Sequence, residues 1–363
     1  MKRFVTLFEK TSNEILMKDV GLIPYFMMHD FKYCASLATC RMSGTYSYLD
    51  EYLKGFEVDF FTPVLGSNWL GAVFYLLKNA KHIDILNIYH LKLQTYVLFW
   101  IYSHINKEGK TYLKLDIDQN AIEKNDPKLQ RYVYIRFLKK VDYCTVESTV
   151  MQQMVLEKYG VKVDALLNGY YDFDSNVNIP KQNVFLTVGR LGTPQKATDV
   201  LLEAFEESAD DHDWKLILVG SIEDDFKPYI TRYFCENPKL RDRVIFTGKI
   251  TNKQELKKYY EMAKVFVLPS RWESFGLVLL EAMFSGDYLI GTDRIPPMVD
   301  FIHDGQYGVI TKSDSVSDLA KALVKSTKRE YTESSIADLK NYAMSNYSWN
   351  AGCKKILQGL GEI

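Results

Sequence analysis

The chain has 363 residues, long enough for two domains at about 100–200 residues each. A hydrophobic share of 47% and a charged share of 25% exclude a disordered or fibrous chain. With 45 basic and 46 acidic residues the net charge is −1, which lacks the basic excess of a general nucleic-acid binder.

RFVTLF near the start reads as the first strand. The opening MKRFVTLFEK is too short in its apolar run, and too early broken by Glu9, for a signal peptide. MKDVGLIPYF (Met17 to Phe26) follows as a turn. GFEVDFFTP, IDILNIY and TYLKLDI continue the strand series. LQTYVLFWIYS (Leu93 to Ser103) is the most lipid-like stretch, yet falls short of the roughly 20 residues of a membrane span. It reads as a buried helix. RYVYIRFLKK (Arg131 to Lys140) mixes four cations with aromatic and aliphatic residues. It fits either a face docked on anionic lipid or a solvated basic face over the core.

DYCTVES and VDALLN close the first half as strands. The polar, turn-rich NGYYDFDSNVNIPKQN then places a domain boundary near 170–182. NVFLTVG, WKLILVG, RVIFTG, VFVLPS and DYLIGT are the strands of the second half. TDVLLEAFEESADDH and NKQELKKYYEMAK are helical stretches between them, and NYSWNAGCKKILQGL is a helical tail. Strands alternating with helices predict parallel, doubly wound α/β domains. Ligands of such sheets sit beyond the carboxyl ends of the strands. The five cysteines, Cys34, Cys40, Cys144, Cys235 and Cys353, are odd in number and lack any CxxC pair. Neither a disulfide framework nor a zinc knuckle is indicated, and a reducing cytosol suits them.

Four strand-end loops of the second half carry the chemistry. In VGRLGTPQKATDVLLEAF the strand ends at Val188, Gly189 permits a tight turn, and Arg190 and Lys196 precede a helix starting near Thr198. Two cations beside a helix N-terminus make an anion site. ILVGSIEDD ends at Gly220, and IFTGKITNKQEL brings Gly248 before a helix that Thr251 or Asn252 could cap. VFVLPSRWESFGLVLLEAMFSG runs strand, turn, helix, with Glu273 in the turn and Glu281 eight residues on. Glu281 lies in the apolar run LVLLEAMF, where an unpaired charge is costly, so it needs a ligand hydroxyl or a structural cation.

These motifs, in this order and spacing over roughly residues 165–345, resemble the nucleotide-sugar domain of family-4 retaining glycosyltransferases of the GT-B fold. The E-x(7)-E signature is Glu273 to Glu281, with Arg190 and Lys196 upstream. The resemblance implies two Rossmann-like doubly wound domains facing a cleft. Residues 1–170 would bind acceptor and residues 171–346 a nucleotide-sugar donor, with a last helix in 347–363 packing back on the first domain. It implies sugar transfer with retention from a UDP-sugar to a glycan or lipid-linked glycan, of hexosyl or N-acetylhexosaminyl type. The second reading is an inactive GT-B-like scaffold that binds a nucleotide-sugar or a partner.

In the resembling family Arg190 and Lys196 would neutralise the donor diphosphate. Glu273 would contact the donor sugar, and Glu281 the ribose hydroxyls. The amides of Phe275, Gly276 and Leu277 would serve sugar and phosphate, and backbone near Gly248, Lys249 and Ile250 the base. Arg190, Lys196 and Glu273 are thus the catalytic candidates. No metal or other cofactor is implied; the acidic runs Asp210 to Asp213 and Glu223 to Asp225 read as solvated loops. In the first domain, Gly21 is the candidate for close backbone approach to the phosphates, and KDVGLIPY resembles bacterial surface-polysaccharide transferases. Tyr89 falls where the family places a His, with His90 next. Lys18, Asp19, Tyr89, His90 and Asp116 are the acceptor-side candidates. The implied setting is cytoplasmic, with contact to the inner membrane face through 131–140.

Overall fold

The computed structural model describes residues 1–42, 44–170 and 179–363. The expected boundary at 170–182 lies largely outside the described residues. Two compact units emerge. The first comprises Met1–Ile117, Ala121–Tyr171 and Tyr347–Ile363, the second Asp118–Asn120 and Asp172–Asn346.

The first unit is built on β1 (Arg3–Thr11), β2 (Cys34–Arg41), β3 (Glu57–Phe61), β4 (Ile85–Tyr89), β5 (Lys110–Lys114), β6 (Tyr143–Val146) and β7 (Asp164–Ala165). They form one sheet in the order β3-β2-β1-β4-β5-β6-β7. All pairings are parallel; Phe4, for example, faces Ala35 on one side and Ile85 on the other. Two apolar cores cover the two faces. Helices α1 (Asp19–His29), α2 (Asn68–Asn79), α3 (Leu93–Ile105) and α4 (Lys128–Leu138) are among those that cover it.

The stretch read as a buried helix is α3, and only part of it is buried. Thr95, Leu98, Phe99 and Tyr102 point into the core, whereas Leu93, Val97 and Trp100 are exposed. A helix lying on one sheet buries one stripe, whatever the apolarity of its other side.

The second unit carries β8 (Gln182–Val188), β9 (Lys215–Val219), β10 (Val244–Gly248), β11 (Ala263–Leu268), β12 (Tyr288–Thr292) and β13 (Gly308–Thr311). The order is β10-β9-β8-β11-β12-β13, again all parallel. Central strands covered on both faces demand continuous apolar runs, which explains Leu216–Val219 and Val265–Leu268. Three helices matter for the site: α5 (Thr198–Ser208), α6 (Lys253–Met262) and α7 (Leu277–Ser285).

The last helix, α8 (Trp349–Gly359), belongs to the first unit. Trp349 stacks on Phe26 of α1 at 6.5 Å between ring centroids. Gly359 lies so close to the Tyr143 ring that a Cβ there would come within 2.2 Å of it. Glu362 beyond it pairs with Lys110 at 2.7 Å.

Candidate functional site

The carboxyl ends of β8, β9 and β10 each meet a glycine. The Gly189 N–H donates to the Val219 carbonyl and the Gly220 N–H to the Gly248 carbonyl, both at 3.0 Å. Gly220 has φ +149°, and a Cβ there would fall 1.7 Å from the Gly189 carbonyl oxygen. Only glycine fits, so this edge of the sheet is bare backbone. Gly248 has φ +78° with open space where a Cβ would be. Asn252, not Thr251, caps α6, accepting from the Glu255 N–H at 2.9 Å.

Arg190 follows β8 and is exposed, with no ion-pair partner among the described residues. Lys196 runs back past Gly189, whose Cβ would meet its Cε at 3.4 Å. Its ammonium pairs with Glu273 Oε1. The next residue, Ala197, is fully buried with φ +46°, a left-handed backbone that a non-glycine residue adopts only under constraint.

The turn holding Glu273 is tied to this loop by several bonds. Ser270 Oγ donates to Glu273 Oε1 at 2.9 Å, and Thr292 Oγ1 donates to the Ser270 carbonyl at 2.6 Å. The Arg271 N–H donates to the Gln195 carbonyl at 2.8 Å, and Gln195 Nε2 to the Trp272 carbonyl at 3.0 Å. The Arg271 guanidinium pairs with Asp199 at 2.9 Å and also with Asp314. Glu273 Oε1 therefore takes both Lys196 and Ser270. Oε2 makes no hydrogen bond among the described residues.

Gly276 starts α7 with φ +78°, and no side chain caps the helix. Its first N–H groups are therefore available to an anion. The Phe275 ring is buried against Phe301, so only its backbone can serve a ligand. Glu281 sits on the second turn and is half-buried rather than enclosed. Its partner is the Tyr260 hydroxyl of α6, which donates to Oε2 at 2.6 Å. Tyr260, Ser270, Gln195 and Arg271 escaped the sequence reading. Arg271 and Ser270 stood inside the quoted LPSRWESFG, while Tyr260, 21 residues before Glu281, carried no local signal.

In the first unit the structure relocates one candidate. Gly21 lies inside α1, where a Cβ would meet the Leu16 carbonyl oxygen at 2.2 Å. The close approach it permits is to its own chain, so it is not a ligand-facing loop glycine. Lys18 is exposed just before α1, and Asp19 is buried in its first turn. Tyr89 and His90 line a cavity of about 200 Å³ with Phe8, Glu9, Lys10 and Lys92. His90 and Asp116 end adjacent strands in left-handed backbone, at φ +66° and +41°. The His90 N–H donates to the Lys114 carbonyl at 3.0 Å.

Beneath them lies a buried charge cluster that the sequence reading missed. Lys114, 1% exposed, donates to Glu147 Oε1 at 2.9 Å and stands 3.8 Å from Asp19 Oδ2. Asp19 Oδ2 and Glu147 Oε2 have no hydrogen-bond partner among the described residues. One ammonium cannot neutralise two buried carboxylates. Burial pushes both carboxyls up against the pull of Lys114, Glu147 to about 7.

Asp287 of the second unit, fully buried with Lys181 as partner, is likewise raised by burial to about 7. Both carboxyls hold a proton more tightly folded than unfolded, so stability is lost as pH rises from about 4.5 through about 7. His212 is lowered to about 4 by burial and by Arg243, and its contribution is lost as pH falls below 6.5. It offsets one carboxyl in the lower range, so the net decline runs from about pH 5 to about pH 7 and levels off above. The expected result is a calorimetric melting temperature that falls from pH 6 to 7.5, with a shallower fall in Asp287→Asn. A flat profile over that range, or an unchanged slope in the variant, would contradict these assignments.

Residues 172–344 match the family described as Glycosyl transferases group 1. The uncharacterized glycosyltransferase MJ1607 of Methanocaldococcus jannaschii is 34% identical over 140 residues, 34% of this chain and 35% of the relative. The N-acetyl-alpha-D-glucosaminyl L-malate synthase of Bacillus anthracis is 31% identical over 150 residues, 41% of this chain and 37% of the relative. These matches span only about a third of either relative. The crystal structure of Anabaena Alr3699/HepE in complex with UDP aligns over 100% of both chains, with TM-score 0.74 and 17% identity. That likeness shows the fold. Residues 172–344 are therefore similar to a glycosyl transferases group 1 domain, and the chain has two Rossmann-like units with the GT-B fold.

Proposed function

We propose that the chain is a retaining glycosyltransferase. It moves a hexosyl or N-acetylhexosaminyl group from a UDP-sugar to a glycan or lipid-linked glycan acceptor, at the cytoplasmic face of a membrane. The observation that carries this is the convergence, on one edge of the second unit's sheet, of an unpaired Arg190, the Lys196–Glu273 pair and the uncapped start of α7. The group 1 match and the UDP bound to HepE support a uridine donor.

In this reading Arg190, Lys196 and the amides of Gly276 and Leu277 take the diphosphate. The bond from the anomeric carbon to the β-phosphate oxygen breaks, and these groups hold the charge that develops on that oxygen. The acceptor oxygen forms its bond on the same face of the sugar, and its proton passes to the departing phosphate. Glu273 Oε2 accepts from a sugar hydroxyl. Glu281, oriented by Tyr260, accepts from the ribose hydroxyls. Backbone at Gly248 and Ile250 meets the base. The first unit takes the acceptor, with Lys18, Asp19, His90 and Asp116 around its strand ends.

A thermal-shift panel of nucleotides and nucleotide-sugars, with and without chelator, tests the donor assignment. A ligand at 100 times its Kd adds about 2.7 kcal/mol of stability. The expected result is a selective shift with UDP or one UDP-sugar, unchanged by chelator. No shift with any nucleotide would overturn the reading and favour a scaffold. Tyr260→Phe is expected to weaken UDP about three- to tenfold, the loss of one hydrogen bond to a carboxylate that stays partly solvated.

A further inference from the structure

We infer that α2, α3 and α4 form a docking surface for an anionic lipid bilayer. The three helices bury their inner residues in the same core over one face of the first sheet: Leu76 of α2, Leu98 and Phe99 of α3, Phe137 of α4. Trp69 Nε1 bonds the Gln94 carbonyl at 3.3 Å, and Phe99 meets Phe137 at 5.2 Å between centroids. Because they share one core, their outer sides share one surface.

That outer surface is apolar at its middle. Phe74 and Leu77 on α2, Leu93, Val97 and Trp100 on α3, and Leu129 and Tyr132 on α4 are all exposed, Phe74 at 55% and Trp100 at 50%. Their spacings are three, four and seven residues, one face of each helix. Scattered exposed apolar residues need no explanation, but a contiguous set on neighbouring helices marks a contact surface. Most of the largest exposed apolar side chains of the first unit lie on these helices.

The charge on this surface has one sign. None of the three helices contains an Asp or Glu, in a chain with 46 acidic residues. Lys78, Lys128 and Arg136, with Lys139 and Lys140 after α4, are exposed and unpaired with any carboxylate among the described residues, while the exposed Arg131 donates to the Lys158 carbonyl at 2.6 Å. Aromatic and aliphatic groups ringed by unpaired cations suit the headgroup region, where the apolar side chains enter and the cations meet lipid phosphate. A second copy of the same surface would bring like charges together. No described helix is long and apolar enough to cross a membrane, so this is contact from one side. The surface extends the basic run at 131–140 to the neighbouring helices. It would hold an enzyme of the proposed kind beside a lipid-linked acceptor, and stands independently of the donor site.

Vesicle flotation tests it, using phosphatidylcholine alone or mixed equally with phosphatidylglycerol. The variants are Phe74→Ser/Trp100→Ser and Arg136→Glu/Lys139→Glu, whose side chains are exposed and lie outside the donor site. The full chain is expected to float with mixed vesicles at least tenfold more than with neutral ones, and less as salt rises. Each double variant should lose at least fivefold, with melting temperature and UDP affinity unchanged. Failure to bind mixed vesicles, or equal binding by the variants, overturns the proposal. So does a dimer in light scattering that both variants dissociate, which would make the surface a contact between copies. UDP titration of the same preparations keeps failure here distinct from failure of the donor reading.

Discussion

Lys196→Ala is expected to lower sugar transfer by about 100- to 1,000-fold, the usual cost of removing one charge-stabilising donor from a leaving oxyanion. The side chain sits beyond the carboxyl end of β8, next to the Glu273 turn. Its ammonium is held by Glu273, and its stem runs past Gly189 at the bare edge of the sheet. The change should lower kcat more than it raises KM, because charge on the leaving phosphate grows only as the bond breaks. Glu273 keeps Ser270 as a donor at 2.9 Å, so the fold should survive and the circular dichroism spectrum should match that of the native chain. Lys196→Arg, which keeps the charge, should recover part of the rate. A rate within threefold of the native value in Lys196→Ala would remove this residue from the mechanism.

Lys114→Met is expected to destabilise the first unit by about 3–5 kcal/mol, the cost of stripping one partner from a buried ion pair. Lys114 is the only side chain in an ion pair with Glu147 and Asp19 among the described residues. Both carboxyl groups are buried, and each already has one oxygen without a hydrogen bond. Without the ammonium both are pushed further toward the neutral acid. The double change Lys114→Met/Glu147→Gln should recover a large part of the loss, since the stranded charge goes with it. Urea unfolding of the three proteins measures this directly. A loss below about 1 kcal/mol in Lys114→Met would show the cluster to be solvated.

Much of the fold was legible in the sequence because parallel strands write themselves as short apolar runs. NVFLTVG, WKLILVG and VFVLPS became β8, β9 and β11 with little change at their ends. β2 was missed because CASLATC is small and weakly hydrophobic, although six of its eight residues are buried between β1 and β3. β13 was missed as well: GVIT holds only two apolar residues, Val309 and Ile310, and both are half-buried. α3 was misread for the opposite reason: it is apolar all round, and composition does not say which side meets the sheet.

At the site, the cations, the two glutamates and the glycines lie within local motifs, so their grouping was readable. What holds them was not. Tyr260 reaches Glu281 because α6 packs beside α7, and Arg271 reaches Asp199 because β11 lies beside β8. Lys114 and Glu147 meet because β5 and β6 pair in register, 33 residues apart in the chain. A lysine centred in TYLKLDI was the one visible sign. Gly21 was misplaced because a glycine before a helix and a glycine inside one look alike in sequence.

The central claim is that the second unit holds a nucleoside diphosphate between its cations and the start of α7, with Glu281 on the ribose. Calorimetric titration of UDP into the native chain and into Glu281→Ala tests it most directly. One site per chain is expected, with binding about 10- to 100-fold weaker in the variant, the loss of hydrogen bonds to a charged group. No binding to the native chain, or equal affinity in both proteins, would contradict it.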